Sequence, residues 1–129
     1  MVSKTKQMKI IIDQYVKAYN EFDVDRMVKN IHPDVEFKNI ANGEVNMYIQ
    51  GLETFKKQVK DSTKLLKKRE MTITEQAIDG DVVKNKIDFK AVLNVDIPEG
   101  PKSGELVKLK GESVFKFKGG KIIYIEDIS

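Results

Sequence analysis

The chain has 129 residues, 40% of them hydrophobic and 33% charged, with a formal net charge of +3, which suits one globular domain and excludes a disordered chain. With no cysteine and a single histidine, His32, disulfides, thiol catalysis and a cysteine- or histidine-rich zinc site are excluded. No apolar run approaches the roughly 20 residues of a membrane span, and the N-terminal MVSKTKQMK lacks an apolar signal core, so the expectation is a cytoplasmic protein with no membrane contact and no cofactor.

Residues 4–22 carry Met8, Ile11, Ile12, Tyr15, Ala18, Tyr19 and Phe22 at three- and four-residue spacing. This predicts an amphipathic helix, with Ser3 as its N-cap. Asp23 caps a second, short helix over 23–31, and His32-Pro33 ends it, because the residue before proline avoids helical geometry. Asp34 to Ile40 alternates as a strand, with Val35, Phe37 and Asn39 on one side. A small strand around Tyr48 and Ile49 precedes Gly51. Leu52, Phe55, Val59, Thr63 and Leu66 define a third helix over 52–66. Its outer side collects Lys56, Lys57, Lys60 and Lys64, continued by Lys67, Lys68 and Arg69. This cluster reads as a solvated face, not a nucleic-acid site, which would want arginine forks or interleaved aromatics.

After Arg69 the period changes to two. Met71–Ile78 is a predicted strand, Asp79-Gly80-Asp81 a hairpin turn, and 82–95 the next strand. Asp96 to Gly104 is a loop. Glu105–Lys118 is a long strand in which Gly111 marks a bulge or bend. Gly119-Gly120 turns into a last strand, 121–128, where Asp127 shares a face with Ile123 and Ile125. Along 82–95, Lys86, Asp88, Val92 and Asn94 lie on one face, and Ile87, Phe89, Ala91, Leu93 and Val95 on the other. Either the charged face is wet and the apolar face is core, or the charges point into a cavity.

The order of elements resembles the nuclear transport factor 2-like superfamily in its SnoaL-like branch. The resemblance is carried by YVKAYNEFDVDRM, NIHPDVEF, Gly51-Leu52 and FKFKGGKIIYIEDIS, and covers almost the whole chain. It implies a single α+β domain over residues 1–129. A cone-shaped, curved antiparallel sheet would wrap round the N-terminal helices, as in a cystatin-like barrel. In such a cone Lys86 and Asp88 would face the pocket, while Ile87, Phe89 and Leu93 would meet the partner of a homodimer.

Within the superfamily, the limonene-1,2-epoxide hydrolases are similar at several positions. Their Arg-x-Asp is here Lys86-Ile87-Asp88, their Tyr-x-Asn is Phe37-Lys38-Asn39, and their second aspartate is Asp127, with Ile125 in place of a tryptophan. By that resemblance Asp88 is the acid, Asp127 the base, Asn39 a holder of water and Lys86 the bridging cation. Lysine lacks the fork that lets a guanidinium serve two carboxylates. The ketosteroid isomerases resemble the chain at Tyr15, but their base falls at Asn39 and their second acid near Ser113. A SnoaL-type cyclase needs only one pocket acid–base group, Asp88 or Asp127. Tyr15, Tyr19, Phe37, Phe115 and Ile125 are the expected ligand contacts. The implied function is binding of a small, mostly apolar organic molecule, with acid–base chemistry of the epoxide hydrolase or polyketide cyclase and isomerase type. The alternative is a non-catalytic dimeric binding module with a vestigial pocket.

Overall fold

The computed structural model describes residues 3–129; Met1 and Val2, at the head of the basic N-terminal stretch, lie outside the described residues. Helix α1, Lys4–Asn20, begins where the Ser3 hydroxyl accepts from the Lys6 N–H at 3.2 Å. It buries Met8, Ile11, Ile12, Tyr15 and Ala18. It stops at Asn20, two residues before the end of its apolar stripe. The Asn20 side chain clamps the backbone of Met71, accepting from its N–H at 2.8 Å and donating to its carbonyl at 3.2 Å. Phe22 then turns with a φ of 57°. Helix α2, Val24–Val28, is capped by Asp23 as expected. It ends early because the Asn30 carbonyl is already taken by the Ile122 N–H, at 2.9 Å.

Strands β1 (Ile31–Ala41) and β2 (Glu44–Gln50) follow, then α3 (Leu52–Thr63) and strands β3 (Leu66–Asp79), β4 (Val82–Leu93), β5 (Leu106–Lys118) and β6 (Lys121–Ile128). They form one curved six-stranded sheet in the order β2-β1-β6-β5-β4-β3. The architecture is α+β, as the sequence suggests, but the sheet is not wholly antiparallel: β1 runs parallel to β6. Residues 42–120, with β2, α3 and β3 to β5, join these two strands, which gives a connection long enough for parallel neighbours. Their pairing lapses between Ile31 and Glu36, around Pro33, which has no N–H to donate. Strand β3 starts five residues sooner than expected, so Lys67, Lys68 and Arg69 belong to a strand and not to a helix.

The core lies between α1 and the concave face, with Phe55 and Val59 of α3 closing it over β1 and β2. Strand β4 decides the orientation question. Val83, Asn85, Ile87, Ala91 and Leu93 are buried, whereas Lys84, Lys86, Asp88 and Lys90 are exposed. The expectation that Lys86 and Asp88 face the pocket is therefore corrected, and so is the one that Ile87, Phe89 and Leu93 face a partner. The physical reason is desolvation. The apolar stripe of α1 needs an apolar face beneath it, and turning two charges inward would strip their water. Lys86 instead lies 3.5 Å from Glu75, and Asp88 4.0 Å from Lys110, on the outer surface, where such pairs add little stability.

Candidate functional site

Strand register sorts the concave face into rows. One row is apolar from end to end: Ile78 beside Val83, then Phe115, Ile125, Phe37 and Ile49. These side chains belong to the core or pack against it. The neighbouring row is polar on five strands: Gln76 beside Asn85, then Ser113, Asp127 and Asn39. Beyond it the face opens into a cavity of about 260 Å³. Tyr19, Met71, Ile87, Phe89, Leu109 and Ile128 supply its apolar walls, and Asn39 and Asp127 sit in its lining.

Asp127 reaches this position through an irregularity. Phe117 pairs with Ile122 but Lys116 pairs with Tyr124, so Ile123 is an extra residue and the parity of β6 flips. Ile122 and Ile125 are fully buried, and Ile123 only partly. The face-mate of Asp127 is thus Ile122, not the expected Ile123. Burial raises the Asp127 carboxyl to about 7, with the nearby charge of Glu126 adding to the effect. Asn39 donates to the Asn46 amide oxygen at 2.8 Å, which fixes its orientation.

Of the five expected ligand contacts, only Tyr19 lines the cavity. Tyr15, Phe115 and Ile125 are packed in the core outside the cavity lining; the rings of Tyr15 and Phe115 meet edge to face, with centroids 5.5 Å apart. Phe37 packs on Phe55 at 5.7 Å. Burial holds the Tyr19 phenol in its protonated form, pushed up to about 12, so it can donate a hydrogen bond. Its ring lies 6.4 Å from that of Phe89. Behind it stands Arg69, buried, with its guanidinium carbon 3.7 Å from the Tyr19 ring centre and 4.5 Å from that of Phe22. The Arg69 Nε donates to the Tyr19 carbonyl at 2.6 Å, a cation at the end of α1 where the helix dipole favours one. Arg69 is thus not part of the solvated lysine face that precedes it in the chain. Its place two residues before Met71, on the same side of a strand, is the local signal for this.

Gly111 sits where the end of β6 crosses β5. A Cβ there would collide with the Ile128 carbonyl oxygen, so the residue serves close approach and not a bend. Gly111→Ala is expected to cost about 1–3 kcal/mol and to displace Ile128 from the cavity wall. A lower urea midpoint together with altered amide shifts at residues 127–129 would show both effects.

The match to the family model for the SnoaL-like domain spans residues 12–125, and the chain belongs to that family. Among solved structures, a candidate SnoaL-like polyketide cyclase from Jannaschia sp. CCS1 is 14% identical with a TM-score of 0.79, covering 98% of this chain and 88% of its own. An LEH-like epoxide hydrolase from M. tuberculosis is 17% identical with a TM-score of 0.75, covering 95% and 81%. TerC, co-crystallised with polyporic acid, is 17% identical with a TM-score of 0.76, covering 95% and 90%. At these identities the shared property is the fold. None of the curated proteins matches the chain.

Proposed function

We propose that this SnoaL-like domain binds a small, mostly apolar organic molecule carrying a carbonyl group and moves a proton beside that carbonyl, with Asp127 as the acid–base group. The observation that carries this reading is the Asp127 carboxyl, raised to about 7, in the lining of a cavity that it shares with the polar side chains of Tyr19, Asn39 and Lys110 and with apolar walls from Met71, Ile87, Phe89, Leu109 and Ile128. Such a group exchanges its proton readily near neutral pH. In outline, the Asp127 carboxylate takes a proton from the carbon next to the carbonyl. The bond electrons pass to the carbonyl oxygen, and the Tyr19 hydroxyl or the Asn39 amide stabilises the resulting enolate. Asp127 then returns the proton. An epoxide hydrolase scheme asks for two carboxylates at one pocket, and Asp88 lies on the other side of the sheet. That separation favours the single-acid chemistry. TerC's co-crystallisation with a small organic molecule supports the ligand class. A homodimer and a cytoplasmic location complete the reading.

The test is exchange of α-protons for deuterium in a panel of apolar aromatic ketones, followed by NMR in D2O. The parent protein should accelerate exchange for some member of the panel. Asp127→Asn should lower that rate by about 10²–10⁴-fold while remaining folded. Hydrolysis of epoxides without ketone exchange, or equal rates in parent and variant, would overturn the assignment. Sedimentation of the same samples addresses assembly, and a monomer at high micromolar concentration removes the dimer.

A further inference from the structure

The polar row beneath the cavity is more than a border. Asn85 and Ser113 are almost wholly buried, on a face whose adjacent row is filled by Val83 and Phe115. Polar side chains at such positions are costly unless hydrogen-bonded, and these are bonded in one direction. The Gln76 Nε2 donates to the Asn85 Oδ1 at 2.8 Å, and the Asn85 Nδ2 donates to the Ser113 Oγ at 3.2 Å. Both bonds run the same way, from β3 through β4 to β5. A serine hydroxyl that accepts from one side keeps its own proton for the other. On that other side the cross-strand neighbour of Ser113 is Asp127; the two side chains are not bonded in this structure, but such pairs bring their Cβ atoms to about 4.5–5.5 Å, so a side-chain rotation is all that a hydroxyl-to-carboxylate bond requires.

We propose that Ser113 is a positioning residue for Asp127, the last link of a hydrogen-bond chain from Gln76 through Asn85 that donates into the Asp127 carboxylate and aims it at the ligand. This rests on the role given to Asp127 above. The titratable or charged groups facing Asp127 are Tyr15 and Tyr19 from α1 and Lys110 at the cavity rim, with Arg69 behind Tyr19; Glu126, next to it on its own strand, acts through its charge from the opposite face. Asn39, its neighbour from β1, is neutral. The chain would stabilise the carboxylate against the desolvation of the site, so that the proton still leaves near neutral pH.

The experiment is a 13C NMR titration of the Asp127 carboxyl in the ligand-free protein. Ser113→Ala should move the midpoint up by about one pH unit, the scale expected for loss of a hydrogen bond to the charged form. Ser113→Thr, which restores a hydroxyl, should return it to the parent value. An unchanged midpoint in the alanine variant, or a threonine variant that titrates like alanine, overturns the proposal. If the alanine variant does not fold, Ser113→Cys, a weaker donor of similar size, replaces it, and an unchanged midpoint there has the same meaning. Because no ligand is present, the result stands apart from the ketone exchange: inert ketones would remove the proposed reaction and leave the hydrogen-bond chain measurable.

Discussion

Asp127→Asn is expected to make the domain more stable at alkaline pH. The folded carboxyl titrates at about 7, against an ordinary value of 3.8 that the unfolded chain adopts. Below the ordinary value both states hold the proton, and the site carries no penalty. As pH rises from about 4 to 7, the unfolded chain releases its proton first, so stability is lost across that window and levels off above it. The full loss is roughly 4 kcal/mol at most, from 1.36 kcal/mol per pH unit. Asparagine cannot ionise, so the variant escapes this loss. Urea unfolding at pH 5 and pH 9 measures it: the parent should lose stability between the two, and the variant should lose less. Parallel changes in both proteins would show that the carboxyl is not desolvated. A carboxyl held at a cost to stability is what the role proposed for Asp127 entails, given the usual trade between activity and folding.

Phe115→Ala is expected to destabilise the domain by roughly 3–5 kcal/mol, the range for emptying a buried aromatic site. Phe115 is 1% exposed. It meets Tyr15 of α1 edge to face and lies between Val83 and Ile125 in the apolar row. Its ring therefore joins the helix to the three central strands, and neither side can close the gap without breaking register. Leu109→Ala, six residues along the same strand, provides the contrast. Leu109 is 49% exposed, and its truncation should fall within about 0.5 kcal/mol. Denaturation followed by far-UV circular dichroism separates the two. Similar losses would mean that the core does not extend from α1 to β5 as described.

How much of this could be read beforehand differs between the fold and the site. The stripe Met8 to Ala18, the Asp-Gly and Gly-Gly hairpins and the alternation in β4 were all local signals, so the elements and their order were legible. Asn39 and Asp127 were singled out as candidate site residues, on strands that prove to be neighbours in the sheet. Lys86 and Asp88 were assigned to the wrong side, because alternation defines two faces without saying which one turns inward. The clue was Asn85, a polar residue in line with Ile87 and Phe89.

The amino-acid order alone settled the inventory of helices and strands, since helical stripes, strand alternation and tight turns depend on residues a few positions apart. It also settled the α+β class. Only the tertiary structure decided which face of the sheet is concave, where the extra residue at Ile123 reverses parity, and that Gln76, Asn85, Ser113, Asp127 and Asn39 fall in one row. Those facts follow from strand register and from the desolvation that α1 imposes on whatever lies beneath it. Both join residues far apart along the chain, where no local pattern records the contact.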